Sequence, residues 1–313
     1  MVHGRAGMPW RSPRPPPTIS AIPDRHRAAR DVDVPAPGRT GRDGGLRLGF
    51  ETREGRTVLV ARRFTLPLQA LEPIDLEGDG TATLLLLNPT GGLLAGDRLD
   101  IDVSLGAGSR VCLSTPSATR VYRSDGRLAV QRVRIEIGRG ARLEWHPDHL
   151  IPSPGARLRQ AAEITLAPDA TLLYLDAWAA GRLARGESWG FDLLDSRLLV
   201  RDEAGLLIRE RSVIGGSPPR DGLGGTEGFG YVATILAIRP DRAGWGDLTG
   251  ALHDDLVGAA PDCRAGVTAL ARGGVLARLL CPSAPSLETG VQALWTRLRR
   301  ELLGLPALNL RKL

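Results

Sequence analysis

Leu99, Ile101, Val103 and Leu105 are separated by single polar residues, and Val133, Ile135 and Ile137 repeat the arrangement. A period of two places alternate side chains on opposite faces, which predicts half-buried β-strands. Leu46, Leu48 and Phe50, then Thr57 to Ala61, predict two more strand pieces, and the apolar run Ala82 to Leu87 another. The strand pattern itself recurs. Leu105-Gly106-Ala107-Gly108-Ser109-Arg110-Val111-Cys112-Leu113 returns as Ile137-Gly138-Arg139-Gly140-Ala141-Arg142-Leu143-Glu144-Trp145, and more loosely as Leu166-Ala167-Pro168-Asp169-Ala170-Thr171-Leu172-Leu173-Tyr174. Ser109, Ala141 and Ala170 occupy matching places at a spacing of about thirty residues, within the range of stacked or solenoid architectures.

The pattern changes near the C-terminus. Ser286-Leu287-Glu288-Thr289 has the polar start and early carboxylate of a helix N-terminus. Val291, Leu294, Trp295, Leu298 and Leu302 follow at helical spacing and form one stripe, for a core or for a partner groove. The expected fold is mainly β, a stacked β-solenoid or β-helix-like single domain with a few C-terminal helices. A Gly/Pro-rich loop from Gly215 to Gly230 separates its strand-rich part from a more mixed C-terminal third.

Composition then sets limits. Residues 1–42 carry eight arginines against three aspartates, +5 of the total +6, so the folded body, residues 43–313, is nearly neutral. The Pro- and Arg-rich character of that segment predicts a disordered extension. Basic residues are spread along the strands rather than gathered into a patch interleaved with aromatics, which argues against nucleic-acid binding. No signal-peptide pattern and no stretch of about twenty apolar residues is present, which predicts a cytoplasmic protein without a membrane span. Cys112, Cys263 and Cys281 are odd in number and far apart, supporting neither a disulfide framework nor a cysteine metal cage.

Catalytic motifs are missing. Gly222-Leu223-Gly224-Gly225-Thr226-Glu227-Gly228 has the glycines of a phosphate loop but no lysine, and neither a nucleophile elbow nor an H-E-x-x-H pair occurs. Glu144, His146, Asp148 and His149 crowd into six residues and suit Zn, Ni or Cu by softness. Pro147 forbids a helix interior there, and the competing reading is a pair of surface histidines flanking a turn.

Four segments together resemble one family. Asn88-Pro89-Thr90-Gly91-Gly92-Leu93-Leu94-Ala95-Gly96-Asp97 is similar to the N-P-P/T-G-G-x-x-x-G-D hallmark of the urease accessory protein UreD (UreH) family. Thr115-Pro116-Ser117-Ala118-Thr119-Arg120-Val121-Tyr122-Arg123-Ser124, Gly140 to Pro147 and Gly181 to Glu187 resemble its three later motifs, in the family's order. The resemblance spans residues 44 to 304. It implies a non-enzymatic, strand-rich scaffold, residues 43–313, that bridges apo-urease to the UreF accessory protein and the GTP-hydrolysing UreG, two copies entering a larger cytoplasmic complex. It implies no tightly bound cofactor, only transient Ni2+ moving through an internal water-filled passage.

Carried over by motif position, Asp97, Asp176 and Glu210 are expected to meet that nickel, and His149 of the local histidine pair is a further candidate for a transient metal contact. Thr115, Thr119, Arg123, Glu144 and Glu187 are expected to line the passage or support the motifs, Arg182 being a candidate partner for the acids. Gly91, Gly92 and Gly96 are expected to serve tight turns. Each acid has a structural alternative, a turn carboxylate bonded to backbone amides. The family's Gln-Glu or Gln-Asp after E-W-x-P is replaced here by Asp148-His149, and its P-R-I-W ending by Leu308-Asn309-Leu310-Arg311-Lys312. A β-solenoid carbohydrate-active enzyme is the alternative function, with Asp97 and Glu144 as its acid pair.

Overall fold

The computed structural model describes residues 43–215 and 225–310; residues 1–42, 216–224 and 311–313, and with them the expected N-terminal extension and much of the Gly/Pro-rich loop, lie outside the described residues. An antiparallel hairpin, β1 (Asp43–Arg53) and β2 (Arg56–Thr65), opens the chain, followed by β3 (Gln69–Ala70), β4 (Ala82–Leu87) and β5 (Gly92–Leu93). One coil is then made by β6 (Arg98–Leu105), β7 (Arg110–Ser114) and β8 (Thr119–Val121), and the next by β9 (Ala129–Ile137), β10 (Arg142–His146) and β11 (Leu150–Pro152). A third starts with β12 (Arg157–Leu166) and β13 (Thr171–Ala179) and turns into β14 (Leu193–Asp202). After this the chain pairs antiparallel, through β15 (Gly205–Gly215), β16 (Tyr231–Ile238), β17 (Arg264–Ala269) and β18 (Gly274–Cys281), with helices α1 (Trp245–Ala259) and α2 (Ala284–Leu303).

The coils stack in parallel and in register. Leu105 pairs with Ile137 and Ile137 with Leu166, while Val111 pairs with Leu143 and Leu143 with Leu172. These pairs coincide with the sequence repeat, so the solenoid expectation holds. The repeat's small residue has a physical cause: Ser109, Ala141 and Ala170 are wholly buried, and each closes the same turn through its N–H, to Gly106, Gly138 and Ala167 carbonyls. A larger side chain there would meet the coil stacked upon it.

Three layers result. The first sheet has the order β15-β14-β12-β9-β6-β1-β2, and the second the order β17-β18-β16-β13-β10-β7-β4-β3. One apolar core lies between the sheets, and a second lies between the second sheet and the two helices. Strand β13 sits in the middle and is apolar on both faces, sending Leu172, Tyr174 and Trp178 to the first core and Leu173, Leu175 and Ala177 to the second.

Helix α2 begins two residues before the expected start, because the Ser283 hydroxyl accepts from the Ser286 N–H at 3.2 Å and caps it. Its stripe faces the core: Leu294, Trp295 and Leu298 are buried against the second sheet, each worth roughly 1.5–3 kcal/mol of burial. Helix α1 buries Trp245, Leu248, Leu252 and Leu256, but glycines at 246, 250 and 258 dilute its sequence signal. The cysteine expectation needs correction. Cys263 and Cys281 form a disulfide with Cα atoms 4.4 Å apart, since antiparallel pairing of Arg264 with Leu280 brings the flanking residues together despite their separation in sequence.

Candidate functional site: a cavity inside the solenoid

Parallel stacking leaves an internal cavity of about 160 Å3 between the two sheets. Its wall includes Gln131 of β9, Gln160 of β12 and Ser196 of β14 on one side, and Tyr174 and Asp176 of β13 on the other. Polar residues at these inward positions interrupt an otherwise apolar stripe, so a core that would collapse around leucines stays open. Asn88, Gly91, Gly92, Pro116, Ser117 and Ala118 also line the cavity, and Gly91, Pro116 and Ser117 among them are exposed, which makes the first two sequence motifs its rim.

Asp176 is the acid at the centre. The Gln160 amide donates to its carboxylate at 3.1 and 3.2 Å, and the Ser196 hydroxyl at 3.1 Å. Enclosure by protein pushes its pKa up; the two hydrogen bonds oppose that shift without cancelling it. The carboxylate has no basic partner among these contacts, although the residue keeps partial access to water-sized space, and that space is the cavity. Tyr174 is likewise driven well above the ordinary tyrosine range, first by burial and then by the Asp176 charge.

The other expected residues are dispersed. Thr115 and Thr119 line the cavity; the Thr115 hydroxyl accepts from the Asp148 N–H at 2.9 Å. Glu210 of β15 pairs with Arg278 of β18 and is not among the cavity-lining residues. Asp97 is a turn carboxylate, accepting from the Leu94 N–H at 2.8 Å, and is not among the cavity-lining residues. Arg123 is exposed and lies over Gly155. Glu187 forms a bidentate pair with Arg182 at 2.6 and 2.7 Å. Gly91, Gly92 and Gly96 all have positive φ, and a Cβ on Gly92 would stand 2.3 Å from the Arg120 carbonyl oxygen, so β5 can approach β8 only without a side chain.

Glu144 has a different role and a different partner from Arg182. It faces the helices, accepting from the Trp295 indole at 2.8 Å and pairing with the buried Arg299 at 3.0 Å. Arg299 also donates to Glu77 and to the Pro306 carbonyl, and Arg142 reaches the Leu303 carbonyl at the end of α2 at 3.0 Å. Thus Arg142 and Glu144, alternate residues of the third motif, fasten α2 to the solenoid. Burial pushes the Glu144 carboxyl above its usual range, against the pull of Arg299 and Trp295. Because Glu144 serves the helical layer and Asp97 a turn, the acid pair of a carbohydrate-active enzyme is not assembled.

Nor are the histidines a surface pair. His146 meets Trp295 edge-on at 4.6 Å and His149 meets Tyr231 at 5.7 Å, with burial lowering the His149 pKa despite the Asp148 charge. Both line a groove of about 470 Å3 between the second sheet, α2 and the tail at Leu308 to Leu310. Among the described residues, no group of three or more His, Cys, Asp or Glu is arranged to hold a metal ion, and no helix is long and apolar enough to cross a membrane.

Residues 42–312 match the family model described as UreD urease accessory protein. The chain belongs to the UreD family. It is 38% identical to a urease accessory protein UreD of Cupriavidus metallidurans over 85% of this chain and 92% of that relative. A urease accessory protein UreD of Alkalilimnicola ehrlichii is 35% identical, covering 87% and 91%, and a urease accessory protein UreD 2 of Streptomyces griseus is 36% identical, covering 90% and 97%. Membership gives the cavity rim a family context, since two motifs that resemble the UreD hallmarks form it, while the third motif secures α2. Sequence reasoning missed Gln131, Gln160, Ser196 and Arg299; polar residues at inward strand positions were the available signal for the first three.

Proposed function

We propose that this UreD-family protein acts in urease maturation as a non-enzymatic scaffold in the cytoplasm, holding UreF and UreG near apo-urease and passing Ni2+ through its interior. The observation that carries this reading is the cavity holding the half-buried Asp176 carboxylate, whose hydrogen-bond partners are Gln160 and Ser196, rimmed by two motif loops. Moving a divalent cation calls for isolated oxygen ligands rather than a closed cage, because binding must be strong enough to admit the ion and weak enough to release it. Asp176, with Gln160 and Ser196, offers such a step. Burial makes its charged form less favourable than that of an exposed aspartate, and an arriving cation would offset that penalty by stabilising the carboxylate.

In this reading Asp176, Thr115 and Thr119 contact the ion, Glu210 extends the acidic path toward β18, His149 lies at the outer groove, and Asp97 maintains the rim. No tightly bound cofactor is required. Replacing Asp176 and Glu210 by Ala, separately and together, should leave co-purification with UreF and urease intact while lowering the nickel content of urease. Unchanged nickel content removes the conduit role; loss of association with UreF in the unaltered protein removes the scaffold role.

A further inference from the structure

Strand β14 sends Leu194 and Leu198 into the first core and Ser196 toward Asp176, so Asp195 and Arg197 belong to the outer face of the first sheet, although Arg197 also borders the cavity. Asp195 is nonetheless only 1% exposed. Three arginines close over it: Arg159 donates through Nε at 2.9 Å, Arg197 through Nε at 3.4 Å, and Arg211 through Nε at 3.2 Å and Nη2 at 3.4 Å. A single guanidinium would neutralise one carboxylate, and strand pairing sets Arg197 directly opposite Arg211, an arrangement of like charges that costs stability. Neutralising Asp195 leaves this excess unexplained. What the arrangement does is aim the arginines outward: with Nε engaged, both η nitrogens of Arg159 and Arg197 and one of Arg211 have no acceptor among the described residues. Their side chains are 46%, 47% and 53% exposed.

Charge on this part of the face is unbalanced. Strands β12, β14 and β15 place Arg157, Arg159, Arg197, Arg201, Arg209 and Arg211 there against Asp195 and Glu163, and residues 216–224, outside the described ones, add one arginine and one aspartate. Farther along, Arg132 and Arg134 of β9 are matched by Asp100 and Asp102 of β6. The excess therefore sits at β14 and β15. Strand β15 also ends the first sheet, pairing only with β14, and it exposes Leu206 and Val213, each at 55%. A long edge strand of this kind is open to pairing with another chain. We propose that β15 and the arginine platform dock an extended acidic segment of a partner protein, which adds to the first sheet as a further strand. Alternate side chains of that strand fall beside Arg209, Arg211 and Val213, so the pattern recognised is two acids and an apolar residue on one face. This surface goes beyond the nickel-conduit reading and does not rest on it.

Fluorescence anisotropy on the full chain tests this with a labelled, end-blocked peptide of the repeat Asp-Thr-Asp-Thr-Val-Thr. Two control peptides separate charge from strand pairing: one carries Asn for every Asp, and the other keeps the acids but has N-methylated threonines that cannot donate to an edge. Both should bind more weakly than the parent peptide, whose own affinity should fall as salt is added. Arg197→Gln combined with Arg211→Gln should weaken binding by about threefold to tenfold, the worth of two exposed ion pairs. Arg209→Gln, at a residue with no ion pair among the described residues, should weaken it in the same direction and serves if the double variant folds poorly. Asp195→Asn is the sharper variant. It makes the face more positive but frees the arginines to turn away, so binding should weaken if their aim matters and tighten if charge alone does. No binding by the parent chain at millimolar peptide, equal affinity for either control peptide, or tighter binding by Asp195→Asn would overturn the platform.

Discussion

Removing the positive charge of Arg299 puts the attachment of α2 to the test. Arg299 is fully buried and pairs with Glu144, itself only 3% exposed, while its other nitrogens serve Glu77 and the Pro306 carbonyl. Arg299→Met keeps much of the volume but leaves a buried carboxylate without its cation, which costs about 3–5 kcal/mol. The cost depends on pH. Burial already raises the Glu144 pKa, and losing Arg299, the largest opposing influence, raises it further. An acid whose folded pKa lies above its unfolded one binds protons preferentially in the folded state, so stability falls as pH rises through that window. Urea denaturation followed by tryptophan fluorescence should therefore show a larger deficit for Arg299→Met at pH 7.5 than at pH 5.5. Adding Glu144→Gln should recover part of the loss at pH 7.5, because the stranded charge is gone. A deficit below about 1 kcal/mol, typical of an exposed ion pair, or one independent of pH, would refute the latch.

Gly92→Ala should destabilise by more than about 2 kcal/mol, because its Cβ would meet backbone at a positive φ; circular dichroism melting reads the change. Asp176→Asn removes a desolvated carboxylate while keeping its shape, so its melting temperature should gain on the parent as pH rises from 5 to 8; a difference that shrinks with pH would show that Asp176 is not held above its ordinary pKa. Cys263→Ser opens a loop spanning a sequence separation of 18 and should lower stability by about 3 kcal/mol in non-reducing urea titrations, with reductant abolishing the difference from the parent.

The alternating runs and the turn repeat were enough to read the coils, because the ladder stacks like on like and a buried turn position accepts only small residues such as Ser109, Ala141 and Ala170. The amphipathic stripe of α2 was equally legible, being a local property of 3.6-residue periodicity. Motif residues identified the family and a set of acids, but not how those acids sort themselves. Asp97 and Asp176 look alike as isolated carboxylates in sequence, yet one closes a turn and the other stands in a cavity, since only the stacking of β9, β12 and β14 against β13 brings Gln160 and Ser196 to Asp176. Glu144 meets Arg299, 155 residues away, and Cys263 meets Cys281 for the same reason. Short-range pattern is written along the chain because it arises from neighbours in sequence; charge pairing and cavity walls arise from neighbours in space, and folding had to place them.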